Sequence, residues 1–190
     1  MRRLMIVVLF VLLSCSYAYG HNGAISLYSD ATLTRCDGSI GWYETDSIYV
    51  FYVRSQGPDL GREVDFRLQL SSADVMFSPA PAWSPRITSV VGDIQTGISL
   101  MSDICIGMNE TLVTLGRVHV FFFADPWNSD PLKTFYMSVE PHPSSGTISI
   151  RECDPQGTIV PVLGGVFVFN GSCNVGVKTS SWGAIKSLYQ

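Results

Sequence analysis

Cysteine, histidine, aspartate and the indole ring are the side chains of this 190-residue chain that could carry chemistry. Cysteines stand at positions 15, 36, 105, 153 and 173. In an oxidising compartment the last four would pair as two disulfides, with three connectivities open. No Cys-x-x-Cys pair occurs, which argues against a zinc ribbon or a thioredoxin-like site. Histidine occurs three times, as His21, His119 and His142. His119 lies in an aromatic, β-rich run and reads as a half-buried sheet residue, and His142 sits in a turn between Pro141 and Pro143. No Gly-x-Ser-x-Gly elbow, His-Glu-x-x-His helix or Walker loop is present, so nucleophilic and zinc hydrolysis lack support.

Two further sets of side chains could bind a ligand. Asp30, Asp37 and Asp46 flank the first loop, and Asp125 and Asp130 flank a tight turn. Calcium requires several oxygens at once, and although no EF-hand spacing exists, these aspartates are the chain's candidate calcium ligands. Their ordinary duty would be turn formation. Trp42, Tyr43, Trp83 and Trp127 fall in predicted loops. Such rings can stack on sugar faces, or they can plug the ends of a core. Asn109 and Asn170 begin formal glycosylation sequons, which matter only in a eukaryotic secretory route.

The elements that would position these groups begin with an export signal. Residues 1–20 read as a signal peptide: Arg2 and Arg3, an unbroken apolar run at 4–13, then small residues ending in Ala18-Tyr19-Gly20. The apolar run is too short to cross a bilayer. Cleavage after Gly20 would leave His21 as the first residue; Ser16-Tyr17-Ala18 is a competing site. Leu12-Leu13-Ser14-Cys15 resembles a bacterial lipobox, and lipidation at Cys15 would tether the chain without a membrane span. Without Arg2 and Arg3, ten basic side chains face sixteen acidic ones, a net charge of −6 with no basic cluster. Nucleic acid is therefore not an expected partner.

Residues 21–176 read as one all-β domain. Short β-branched and aromatic runs are punctuated by Gly, Pro, Asp and Ser, and helical periodicity is almost absent. Residues 24–29, 87–91, 97–101, 134–140 and 147–151 predict strands. Residues 47–54 (SIYVFYVR) are apolar on both faces and predict a central strand. Residues 63–70 (EVDFRLQL) alternate strictly, so one face is buried and one is wet. Pro79, Pro81 and Pro85 predict a loop or ragged edge around Trp83. Residues 112–123 form a long apolar strand with Gly116 as a candidate bulge, and residues 159–170 form a last strand broken at Gly164-Gly165. About nine strands of this kind predict an antiparallel two-sheet sandwich, with a closed barrel as the alternative. Residues 177–190 predict a short amphipathic tail, with Trp182, Ile185 and Leu188 at helical spacing after a Thr179-Ser180-Ser181 cap.

Taken together, the half-exposed strand at 63–70, the Pro-rich dip, Ile98-Ser99-Leu100, the aromatic strand at 118–123 and the Gly-Gly-Val-Phe-Val-Phe-Asn-Gly strand at 164–171 resemble a cohesin-type, carbohydrate-binding-domain-like sandwich of secreted bacterial proteins. The chain also resembles uncharacterised exported bacterial proteins with a Trp-Gly-x-Ile-Lys-x-Leu-Tyr tail. The resemblance implies a nine-stranded jelly roll and a non-catalytic binding or surface role; the sequence itself shows no dockerin-like repeat and no multi-module array. It also implies that first and last strands pair in parallel, which favours Cys36–Cys173 with Cys105–Cys153; Cys36–Cys153 ranks next. A mature N-terminal His21, joined by His119 or His142, resembles the copper site of lytic polysaccharide monooxygenases and periplasmic copper carriers.

The leading expectation is an exported, non-catalytic sandwich, secreted, periplasmic or at the cell surface. It would recognise carbohydrate or an extracellular protein and need no cofactor. A structural subunit of a surface assembly is the second reading, and a copper-binding protein using His21 is the third.

Overall fold

The computed structural model describes residues 23–54, 61–106, 110–123 and 133–173. The export segment, Trp127 with Asp125 and Asp130, Asn109, and the amphipathic tail lie outside the described residues. Within them the chain forms strands and no helix.

The first sheet is built around β3 (Thr45–Arg54), flanked antiparallel by β1 (Gly23–Tyr28) and β9 (Leu112–Phe122). Ile48, Val50 and Tyr52 of β3 point into the core, and Tyr49 and Phe51 point outward. Phe51 is nonetheless buried, with Tyr28 and Tyr49 against its ring. This cover explains why β3 is apolar on both faces. The far edge of β9 is paired in pieces, by β5 (Val75–Phe77) and β6 (Ala82–Trp83). The prolines between and after these pieces prevent one continuous strand, so the expected ragged edge holds two short ladders. Opposite β3, Val50 faces Gly116 and Phe51 faces Thr114, which leaves Leu115 as the extra residue of a bulge. Trp83 packs on that bulge: a Cβ on Gly116 would lie 2.5 Å from its ring.

The second sheet centres on β4 (Glu63–Leu70), whose Val64, Phe66 and Leu68 are fully buried. One edge of β4 pairs with β8 (Gly97–Met101), which in turn pairs with β7 (Ser89–Asp93). Along the other edge, β10 (Phe135–Glu140) and β11 (Ser149–Arg151) follow one another, interrupted by a flap at 141–148. Outside them run β12 (Ile159–Pro161) on β11 and β14 (Val166–Phe169) on β10. Asp37–Gly38 adds a short β2, parallel to β14. Stacked aromatic rings run from Phe122 of the first sheet through Phe135 to Phe169 of the second, with centroids 5.9 and 4.5 Å apart. Rings at this spacing tie the two layers beyond their area of burial.

The last strand of the sequence reading divides where the chain crosses between sheets. Residues Leu163–Gly164 form β13, parallel to β1. Gly165 then donates its N–H to Ile25 O at 2.7 Å and accepts from Val139 N at 2.9 Å, one partner in each sheet. Only glycine permits this approach, since a Cβ on Gly164 would stand 2.2 Å from Val139 O. Disulfides join Cys36 to Cys173 beside β2 and β14, and Cys105 to Cys153 across the ends of β8 and β11. These are the two pairs that the resemblance implies. By loop entropy they contribute about 5 and about 4 kcal/mol.

Gly164→Ala forces a methyl group against a backbone oxygen that the crossing holds in place. We expect a loss of about 3 kcal/mol, read as a lower urea midpoint with the slope unchanged.

Candidate recognition surface

Register decides which side chains share the outer face of the second sheet. Val91, Ser99, Asp65, Ser149 and Pro161 form one row across β7, β8, β4, β11 and β12. Ser89, Met101, Glu63, Arg151 and Ile159 form the next. The polar centre is internally bonded. Ser99 Oγ donates to Asp65 Oδ1 at 2.6 Å, Ser149 Oγ reaches Asp65 Oδ2 at 3.4 Å, and Arg151 Nε donates to Glu63 Oε2 at 2.6 Å. The Glu63 carboxylate holds the Arg151 pKa above its ordinary value. At the two edges of this centre stand bare aliphatic groups, Val91 at 54% exposure and Ile159 at 57%; Ile104, in the segment after β8, is 61% exposed. The Cys105–Cys153 bond joins the segment after β8, which carries Ile104, to the segment after β11, which leads to Ile159 at the start of β12.

The 141–148 flap leans over one end of this face. His142 N–H donates to Thr147 O, and Ser144 N–H donates to His142 Nδ1 at 3.2 Å. A Cβ on Gly97 would lie 2.7 Å from His142 Nε2, and Gly97 itself has φ +126°. His142 therefore braces the flap on β8. His119 does stand half-buried in a sheet, on β9, and its Nδ1 lies 2.8 Å from Ser47 Oγ. The two residues are direct register partners on β3 and β9, so the contact is a cross-strand hydrogen bond of the ordinary kind.

The aromatic candidates among the described residues, Trp42, Tyr43 and Trp83, share no ring contact. Trp42 and Trp83 pack their rings against the core, and Trp42 Nε1 is buried without a partner. Tyr43 is exposed in a left-handed turn at φ +58°. What sequence reading missed is an aromatic cluster on strands rather than loops: Tyr28, Tyr49 and Phe51 on the outer face of the first sheet, with Arg117 over the Tyr49 ring. The double-sided apolar run at 47–54 was its only signal.

The acidic candidates have local duties. Asp30 accepts from the N–H and hydroxyl of Thr32 and of Thr34. Asp37 pairs with Arg35 at 3.7 Å and accepts from Cys173 N. Asp46 accepts from Ser47 N, and burial pushes its pKa up. Among the described residues no group of three or more His, Cys, Asp or Glu could hold a metal ion. Asn170, first residue of a sequon, is locked to Ile40: its Oδ1 accepts from Ile40 N at 2.9 Å and its Nδ2 donates to Ile40 O at 3.2 Å.

Comparison with known proteins places this geometry in a fold. No family model matches the chain, and no curated protein matches it. Solved structures do. A cohesin module from a Clostridium perfringens family 33 glycoside hydrolase superposes with a TM-score of 0.55 at 6% identity, over 78% of this chain and 96% of that one. A type III cohesin module from a cell-surface anchoring scaffoldin of Ruminococcus flavefaciens gives 0.51 at 9% identity, over 77% and 87%. A chain from a CaDoc–CaCoh complex gives 0.52 at 10% identity, over 76% and 96%. The architecture is a cohesin-like β-sandwich.

The Thr34 hydroxyl, followed by the Thr34 N–H, holds the Asp30 carboxyl down to about 2. Because the folded value is depressed, this loop's stabilisation is present above the ordinary aspartate range and is lost as pH falls through about 2. An NMR titration should give that midpoint for Asp30, and Thr34→Val should move it toward 3.8.

Proposed function

We propose that this chain is an exported, non-catalytic recognition module that binds a partner protein through the outer face of β7, β8, β4, β11 and β12. The observation that carries the reading is the face itself. Exposed aliphatic side chains flank carboxylates and hydroxyls already fixed by their own hydrogen bonds. Such a surface offers apolar area to a partner while its polar centre needs little reordering. A broad sheet face of this kind suits another protein better than a small ligand, which favours concave sites.

The cohesin-like fold supports the same reading. One structure of this architecture is recorded in a CaDoc–CaCoh complex, and a dockerin-type protein is the partner class that this suggests. The two disulfides fit an oxidising, extracellular setting, in line with the signal-like residues 1–20. We therefore place the mature protein outside the cytoplasm, secreted or at the cell surface.

The test is calorimetry of the mature chain against a panel of dockerin-type domains, alongside a glycan array. At least one domain should bind, and Val91→Asp or Ile159→Asp should weaken that binding by about 2 kcal/mol, or about thirtyfold, without changing the melting temperature. Binding that survives both substitutions, or a glycan ligand with no protein ligand, would overturn the proposal.

A further inference from the structure

Beside the outer face, at the C-terminal end of β4, lies a cleft of about 440 Å³ lined by Arg67, Gln69, Leu70, Ser72, Val75 and Gln95 among others. It opens where β8 has ended: Ile98 pairs with Phe66, and beyond it Leu68 N–H turns instead to Ile94 O. The β4–β8 ladder therefore gives way at this point to a single bond from the turn that carries Gln95. Arg67 is the only charged side chain in the lining. Its Nε is closed off from solvent and has no hydrogen-bond partner. Glu140 is its direct cross-strand neighbour, yet Arg67 belongs to none of the ion pairs among the described residues. The nearby Asp93 carboxylate is committed elsewhere, accepting from the N–H groups of Gln95 and Thr96. Ser72 is committed to Asp74.

A guanidinium in this position is partly stripped of water and makes no ion pair among the described residues. Its Nε is closed off, so an anion that arrives from the cleft side would meet the Nη groups. A planar carboxylate can accept two N–H bonds from one guanidinium, and such charge-assisted bonds are roughly twice as strong as neutral ones. The Gln69 and Gln95 side chains offer amide donors beside it, and Leu70 and Val75 offer an apolar wall for a short aliphatic stem. We propose that this cleft is a carboxylate subsite that receives an acidic side chain, Asp or Glu, of the partner protein, with Arg67 as its anchor. The source of the carboxylate rests on the reading that this sheet recognises a protein. The carboxylate chemistry itself rests on Arg67 and the cleft.

The test uses the mature, disulfide-bonded chain and no partner. N-acetyl-glutamate α-amide is titrated while the Arg67 Nε–H and the Gln69 and Gln95 side-chain amides are followed by NMR. N-acetyl-glutamine amide and glucuronate are the comparison probes. The expected result is a saturable, salt-sensitive shift at Arg67 and Gln95 with the glutamate probe, in the millimolar range, and none with the glutamine probe. Affinity should fall about tenfold in Arg67→Lys, which keeps the charge but loses the fork. Gln95→Ala, at an exposed turn, should weaken binding with the fold intact even if Arg67→Lys disturbs it. No saturable shift from either acid would overturn the subsite. Glucuronate binding more tightly than the glutamate probe would overturn the protein side chain as its ligand. Because no dockerin-type domain is used, failure here is distinct from failure of the calorimetric panel.

Discussion

Gly165 donates a hydrogen bond into one sheet and accepts one from the other, and the separation of the two layers depends on that crossing. The core is filled by side chains meeting between sheets, and packed interiors tolerate little change in spacing. A residue bonded to both layers fixes them at one distance, where Phe122, Phe135 and Phe169 can stack. It also fixes register. β13 runs parallel to β1 before the crossing, and β14 runs antiparallel to β10 after it. A single dipeptide thus relates strands more than a hundred residues apart in sequence. Glycine is required there because the backbones of Val139 and Ile25 occupy the space a side chain would need.

The second sheet's outer face inherits its form from that arrangement. β4 lies at its centre, held by β8 on one edge and by β10 and β11 on the other. The two sheets then differ in what they show to solvent. The first presents aromatic rings packed on one another, with Phe51 covered by two tyrosines. The second presents hydrogen-bonded carboxylates inside an aliphatic border. Packed rings are an outer cover of the sheet; the aliphatic border has no such cover among the described residues. That contrast is what directs the functional reading to the second sheet.

Much of this was legible in the sequence where the signal was local. The alternation over 63–70 and the run over 97–101 gave β4 and β8 with their bounds, because a strand wet on one face must alternate. Gly116 marked a bulge because a break in a long apolar strand needs a reason. The order of segments carried the resemblance to a cohesin-like sandwich, and the disulfide pairs are the ones that this resemblance implied rather than ones the spacing could select. The rest was not local. The Asp65, Ser99 and Ser149 contacts join three strands up to 84 positions apart, and only register brings them together. Trp42 and Trp83 looked like loop aromatics, since sequence cannot show whether a loop folds back on the core. The alternation over 63–70 puts Arg67 on the wet face, but whether it finds an ion-pair partner among the described residues is decided by tertiary placement. The short β2, β5 and β6 carry too few residues for periodicity to register.

The Cys36–Cys173 bond has a mechanical consequence. It spans 137 positions and encloses every described strand except β1. A pull between points outside that span is carried by the covalent link, in parallel with the ladders it encloses. Strands β2 to β14 are thereby shielded from load, and among the described strands β1 alone, in the segment before Cys36, can be peeled from its neighbours. For a module held at one end and gripped by a partner on its sheet, the gripping face would keep its shape under tension while the N-terminal strand acted as the extensible element.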